Sequence, residues 1–192
     1  ARHGPARLSE NEIRILLSEG VESGAIEQAE HKLIENIFEF TDLISADVLV
    51  AKSDVLALNI NSDLQCIIKT ALASGHSKFP VYQENIDNIV GVLFVKDLLQ
   101  LLEDKKTFDL RSIIRETYFV PETKKIMDLM REMQENRIHL AVVINEYGGM
   151  EGIITMEDIL DEITGELARE EGRETEDYKI LADGTILLKG SM

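Results

Sequence analysis

Two nine-residue stretches decide the fold of this chain. They are Gly91-Val-Leu-Phe-Val-Lys-Asp97-Leu-Leu99 and Gly152-Ile-Ile-Thr-Met-Glu-Asp158-Ile-Leu160, and they match at an offset of 61 residues. A short strand pattern precedes each stretch at the same offset, at residues 79–82 and 140–143. An amphipathic helix pattern precedes each strand at an offset of 62. The order strand, helix, strand, turn, strand, helix therefore occurs twice. Two units of about 50–60 residues are expected to bury their sheets against each other.

The flanking segments predict helices at one end and a hairpin at the other. Ser9 is expected to cap a helix over residues 10–19, with Glu12 completing a capping box and glycines ending the helix, and a second helix is expected over 27–40. Strands are expected at residues 55–60 and 118–120, and a turn at 84–88. Four segments are predicted: an N-terminal helical linker (1–42) that begins with a disordered lead (1–7), a first repeat (43–104), a second repeat (105–168), and an acidic linker with the start of a further domain (169–192). The hairpin in the last segment is expected to turn at Asp183-Gly184.

Composition excludes several classes of function. The chain has 192 residues with 36 acidic and 20 basic side chains, a net charge of −16, which argues against nucleic acid as a partner. Cys66 is the only cysteine, so no internal disulfide can form, and we expect it in or at the edge of the core. No stretch has the spacing of a catalytic motif or of a metal site, so we predict neither catalytic residues nor a metal centre. No run is apolar enough to span a membrane, and both ends are expected to lie within a longer protein.

The ordered motifs resemble the paired cystathionine-β-synthase (CBS) motifs of the CorC/hemolysin C family. The first motif is Ser74-Gly-His-Ser-Lys-Phe-Pro-Val-Tyr82 with Val90-Gly-Val92 and Lys96-Asp-Leu-Leu99. The second is Phe119-Val-Pro-Glu-Thr123 with His139-Leu-Ala-Val-Val143, Asn145-Glu-Tyr-Gly-Gly149 and Gly152-Ile-Ile-Thr-Met-Glu-Asp158. The resemblance covers roughly residues 8–190, and it implies an α/β tandem CBS pair with pseudo-two-fold symmetry, N-terminal helices and a C-terminal hairpin.

The resemblance also implies a function. Members of this family are bacterial magnesium and cobalt efflux proteins or hemolysins, and many carry a membrane-spanning domain. Their paired CBS motifs form a Bateman module that binds AMP or ATP, often with Mg²⁺, and the cyclin M transporters use the same module. We therefore expect an adenine-nucleotide-sensing regulatory module, not an enzyme, on the cytoplasmic side of the bacterial inner membrane. Its expected partners are a second copy of the chain, in a homodimer, and the membrane-spanning domain of its parent.

Within the resemblance, the case for a nucleotide site rests on Thr155 and Asp158. They lie three positions apart where a strand is expected to end and a helix to begin. A carboxylate there can accept both ribose hydroxyl hydrogens, while the threonine hydroxyl faces the same ligand. The alternative is that Thr155 only caps the helix and Asp158 is only a first-turn acid. The first repeat has Phe94 in place of the threonine but keeps Asp97, so the two sites are expected to be unequal.

The first repeat is expected to complete the Thr155/Asp158 site. By the resemblance, it supplies the loop at Val50 and the strand entry at Ser77, Lys78, Phe79 and Pro80. Lys78 either meets phosphate as a point charge or is a solvated lysine. Backbone groups of Phe79 and Pro80 are expected to frame the adenine. One departure from the family favours a rival function: Leu49-Val-Ala-Lys52 stands where the family has Met-Thr-Pro-Arg, so Val50 lacks the family hydroxyl. The rival is a CBS dimerisation scaffold that has lost its ligand.

Overall fold

A computed structural model describes residues 8–99 and 108–165 and two C-terminal strands, Tyr178–Ile180 and Ile186–Leu188. The chain separates into two compact units. One holds the residues up to Phe40 together with those from Leu160 onward, and the other is Thr41–Ile159. Among the described residues, no helix combines the length and apolar character needed to cross a bilayer.

The first unit begins with two helices, α1 (Glu10–Glu22) and α2 (Gln28–Phe40). The predicted capping box is present, because the Ser9 N–H donates to Glu12 Oε2 at 2.6 Å and the Glu12 N–H donates to Ser9 Oγ at 3.3 Å. The prediction that α1 ends at residue 19 is wrong, since the helix runs through Gly20. Ile26 packs so closely on Gly20 that a Cβ there would lie 2.7 Å from it, so glycine is used here for contact and the helix tolerates its weak propensity.

The second unit contains two sheets and both repeats, except for the end of the last helix from Leu160 onward. The first repeat comprises β2 (Leu58–Asn59), α4 (Leu64–Ser74), β3 (Lys78–Gln83) and β4 (Asn85–Phe94), which form a sheet in the order β2-β3-β4. The second comprises β5 (Tyr118–Pro121), α5 (Ile126–Asn136), β6 (Leu140–Ile144), β7 (Met150–Thr155) and α6 (Met156–Thr164). A short helix α3 (Ser45–Val48) and strand β1 (Val50–Ala51) precede the first repeat. Strand β1 joins the sheet of the second repeat, in the order β1-β7-β6-β5.

The helices of the two repeats start and end at equivalent places. Asp63 caps α4 by accepting the Cys66 N–H at 2.7 Å, and Gly75 ends it in the left-handed conformation. Arg137 ends α5 in the same conformation, at the equivalent position 62 residues later. Ile67 and Ala71 form the buried face of α4. Cys66 lies off that face and is exposed, so the prediction that it borders the core is wrong.

Two strand predictions need correction. The strand expected over 55–60 is confined to β2, because only Leu58 and Asn59 pair with β3. The turn expected over 84–88 is tighter, since Glu84 with φ 64° reverses the chain and β4 begins at Asn85. A short 3₁₀ helix, Val95–Leu98, follows β4, and another lies at Leu110–Ser112.

The expected burial of one sheet against the other is present. A core cluster joins the facing surfaces of β4, β6 and β7, and its buried members are Ile89, Val92, Leu140, Val142 and Met150. The first repeat has its own cluster behind β3, in which Phe79 and Val81 are fully buried. The strand ends that follow these cores are thereby held in fixed positions, and the candidate site lies at one of them.

The C-terminal strands β8 (Tyr178–Ile180) and β9 (Ile186–Leu188) pair antiparallel, as the hairpin pattern predicts. The predicted lead at 1–7, the acidic linker at 169–177 and the Asp183-Gly184 turn lie outside the described residues.

Candidate functional site

Thr155 and Asp158 form a reciprocal pair at the junction of β7 and α6. Asp158 Oδ2 accepts hydrogen bonds from the Thr155 N–H and from Thr155 Oγ1, both at 2.7 Å. The Asp158 N–H donates to Thr155 Oγ1 at 3.2 Å. This is a capping box built from threonine and aspartate, so the helix-capping interpretation describes the chain without a ligand.

Capping does not use up the carboxylate. A carboxylate offers about four acceptor positions on its two oxygens, and the cap occupies only Oδ2 of Asp158. Oδ1 accepts no hydrogen bond from the described residues, and the side chain is half-buried. The two interpretations of Asp158 are therefore compatible, because one oxygen can hold the helix while the other accepts from a ligand.

A cavity of about 320 Å³ opens in front of this pair and is lined by both repeats. Six of the residues predicted for the site line it, and these are Val50, Ser77, Lys78, Pro80, Thr155 and Asp158. Phe79, the seventh, is absent from the lining, because its side chain points to the opposite face of β3 and is fully buried in the first-repeat core. The expectation for its backbone groups stays a prediction. Asp54 and His76 also line the cavity and were missed. Asp54 lies outside the motifs, and His76 lies within the first motif but was not assigned to the site.

Lys78 connects the two repeats across the cavity. Its Nζ lies 2.8 Å from Glu157 Oε1, and its side chain is 16% exposed. Burial raises the pKa of Glu157, but the hydrogen bond and charge of Lys78, with further hydrogen bonds, outweigh it and leave that pKa below its ordinary value. Lys78 is thus not a freely solvated lysine: it is a cation at the cavity wall with an exposed carboxylate as its partner. Its contact with phosphate stays a prediction.

Val50 reaches the cavity because β1 pairs antiparallel with β7, opposite Ile153. The approach depends on Gly152. A Cβ at Gly152 would fall far inside contact distance of the Val50 carbonyl oxygen and 2.8 Å from Leu49 Cδ1. The repeat motif contains this glycine, but the sequence alone does not show that another strand crosses it.

The equivalent position in the first repeat is arranged differently. Asp97, only 7% exposed, accepts two hydrogen bonds from Arg115, Nε to Oδ2 and Nη2 to Oδ1, both at 2.9 Å. The guanidinium of Arg115 also lies 4.4 Å from the centre of the Phe94 ring. The sequence motifs missed Arg115, because the spacing between the repeats, 61 or 62 elsewhere, is 65 residues between Val50 and Arg115.

Metal ligands are not gathered at this site. In the part of the chain that the structure describes, no group of three or more His, Cys, Asp or Glu side chains is placed to hold a metal ion.

Comparison with known proteins identifies the family. The CBS domain family matches residues 41–104 and 110–165. Hemolysin C of Brachyspira hyodysenteriae is 37% identical over 85% of this chain, and the chain spans 60% of that protein. The magnesium and cobalt efflux protein CorC of Pasteurella multocida is 34% identical over 76% of this chain, which spans 49% of that protein. The chain thus corresponds to only part of each of these relatives.

Solved structures agree with the sequence relatives. The CBS domain of the bacterial CNNM/CorC family Mg²⁺ transporter is 34% identical, with a TM-score of 0.75 over 83% of this chain and 98% of that one. A structure of such a domain in complex with ATP is 33% identical, with a TM-score of 0.66 over 71% of this chain and 97% of that one. A CBS-domain pair with bound AMP from Klebsiella pneumoniae is 30% identical, with a TM-score of 0.57 over 65% of this chain and all of that one.

A CBS pair is a regulatory module and not a catalytic domain, and both repeats of this chain match it in order, in sequence and in fold. The chain belongs to the CBS domain family, as a tandem pair related to those of the CNNM/CorC Mg²⁺ transporters and of Hemolysin C.

Proposed function

We propose that this tandem CBS module binds an adenine nucleotide, ATP or AMP, in the cavity between its two repeats. The observation that carries the proposal is the 320 Å³ cavity, which has the Thr155/Asp158 pair on one side and the Lys78 strand entry on the other. Relatives with the same fold provide independent support, since one is described in complex with ATP and another with bound AMP.

Each end of the cavity suits one part of a nucleotide. Oδ1 of Asp158, which accepts no hydrogen bond within the described part of the chain, accepts ribose hydroxyl hydrogens without breaking the helix cap. Pro80 and Ile153 offer apolar contact for the flat face of a base. Lys78 offers a positive charge for phosphate, and a phosphate that binds there competes with Glu157 for it. Mg²⁺ brought by the nucleotide would reduce the repulsion between the phosphates and the exposed Glu157 carboxylate.

The proposed role in the parent protein is regulation of magnesium or cobalt efflux. A ligand that contacts both repeats stabilises the arrangement of repeats that it fits best, by the difference between its affinities for the two arrangements. We propose that the module lies on the cytoplasmic side of the bacterial inner membrane as a homodimer and passes this change to a membrane-spanning domain.

Calorimetric titration with ATP and with AMP, with and without Mg²⁺, tests the proposal. Asp158→Asn keeps an oxygen for the cap but removes the charge, and it should weaken binding about tenfold to a hundredfold, the effect of losing about 1.5–3 kcal/mol from a charged hydrogen bond. Asp97→Asn is the matched control at the equivalent position and should leave affinity nearly unchanged. Equal losses from the two variants would contradict the site.

The second candidate function is a CBS dimerisation scaffold without a ligand. It is favoured by Val50, which lacks the hydroxyl of the family threonine, and by the capping box, which satisfies Thr155 without a nucleotide. Val50→Thr separates the two functions, because restoring the hydroxyl should maintain or raise affinity if the site is active. No binding of either nucleotide to the original chain or to Val50→Thr would favour the scaffold.

A further inference from the structure

The first repeat contains a site of the same backbone architecture as the Thr155/Asp158 site. In the second repeat, Val50 lies opposite Ile153 in an antiparallel pair. In the first repeat, Arg115 lies opposite Val92 in an antiparallel bridge, with both N–H to carbonyl hydrogen bonds at 2.9 Å. Val92 and Ile153 are equivalent in the repeat, so Arg115 occupies the position of Val50.

The close approach that permits this crossing is also repeated. Gly91 lies beneath the segment that precedes Arg115, where a Cβ would come within 2.7 Å of the Ile114 side chain. Gly152 lies beneath Leu49 and Val50 in the same way. Both sites are therefore built by one chain crossing a glycine at the start of a Gly-x-x-x-x-x-Asp stretch, and they differ in the side chain that the crossing segment carries.

We propose that the guanidinium of Arg115 is the internal ligand of the first-repeat site, where it takes the place that a ribose takes in the second. This inference rests on the proposed function for the comparison with the second site, but its evidence is separate. Asp97 is equivalent to Asp158, and its two oxygens each accept one hydrogen bond from Arg115. The cation also lies over the ring of Phe94, the residue that replaces Thr155.

Burial explains why the first site holds a cation of its own. The Asp97 carboxylate is 10% exposed in its side chain, and a buried carboxylate without a partner is strongly destabilising. Arg115 provides the charge and the two donors in one rigid group, whereas the second repeat leaves Asp158 partly accessible and pairs it with an uncharged hydroxyl. The chain is therefore limited to one nucleotide, at the second repeat.

The first experiment transfers the internal ligand to the other site. Val50→Arg places an arginine at the equivalent backbone position, where it should pair with Asp158 and lower ATP affinity about tenfold or more in calorimetric titration, because that charged pair must break before a ribose binds. Val50→Leu is the matched control for size and should keep the original affinity. ATP affinity of Val50→Arg equal to that of Val50→Leu would overturn the inference.

The second experiment does not depend on nucleotide. Arg115→Ala should lower the melting temperature, and ethylguanidinium at low millimolar concentration should restore part of the loss by occupying the Asp97 site. Arg131→Ala, which removes an exposed arginine from α5, should show no such restoration. Absence of restoration for Arg115→Ala would overturn the inference. If the original chain binds no nucleotide, the proposed function fails while the ethylguanidinium result still decides this inference.

Discussion

Replacing Gly152 with alanine tests the packing that forms the candidate site. The added methyl group would meet the Val50 carbonyl oxygen and carbon, the latter at 3.1 Å, and also the Leu49 side chain at 2.8 Å. A carbonyl in a paired strand cannot rotate away as a side chain can. Strand β1 therefore has to move away from β7, by roughly 1 Å to regain an ordinary contact.

The displacement determines the expected loss of stability. It breaks the ladder between β1 and β7 and the adjacent 2.8 Å hydrogen bond from the Lys52 N–H to the Glu151 carbonyl. Two to four hydrogen bonds at about 1 kcal/mol each give a loss of about 2–4 kcal/mol in the free energy of unfolding. For a domain of this size, that corresponds to a fall of about 4–16 °C in melting temperature.

Thermal and urea unfolding would measure this loss, with Gly91→Ala as the matched control. At Gly91 the three nearest atoms all belong to the Ile114 side chain, whose Cδ1 can move by a rotamer change but whose Cβ, at 2.9 Å, needs a small backbone shift. We therefore expect a smaller loss than at Gly152, about 1–2 kcal/mol, in the lower part of the range for overpacking. Gly152→Ala should also weaken ATP binding, because Val50 moves out of the cavity wall. The reasoning would be refuted if the two variants were equally stable, or if Gly152→Ala kept the original stability.

Three further predictions concern charge, pH and association. The hydrogen bond to Glu132, with burial, raises the pKa of Tyr118 to about 12. The stability that this tyrosine contributes is therefore complete below pH 10 and is lost as the pH rises through about 12. Tyrosinate absorbance should show one late titration, which Tyr118→Phe removes. In calorimetric titration, Lys78→Gln should weaken ATP binding more than AMP binding, because a longer phosphate chain depends more on a positive charge. Equal losses of affinity for the two nucleotides would argue against a contact between Lys78 and phosphate. The chain should self-associate more strongly as salt screens its net charge of −16. Leu72→Glu changes an apolar side chain of α4 that is 80% exposed and should reduce the dimer fraction measured by light scattering. A monomer at high protein concentration in both low and high salt would contradict this prediction.

The amino-acid sequence by itself determined the repeated architecture and one half of the site. Helix caps and hydrophobic periodicity are local patterns, which are readable because their physical causes act within a few residues, and the repeat is visible because the same local patterns recur 61 residues later. Ser9 with Glu12, and Thr155 at the end of a strand with Asp158 three residues later, were predicted on that basis. The contrast between Thr155 and Phe94 likewise predicted that the two repeats would differ.

Only the tertiary structure decided what faces these residues. Strand β1 joins the sheet of the second repeat, and Lys78 pairs with a carboxylate 79 residues away, because sheet pairing and ion pairing depend on positions in space and not on spacing along the chain. Arg115 escaped the repeat pattern because extra residues change the offset before it, while backbone pairing restores its equivalence to Val50. The sequence therefore identifies the motifs. The pairing of β1 across Gly152 and of Arg115 across Gly91 decides that Val50 lines a cavity beside Asp158, whereas Arg115 pairs with Asp97.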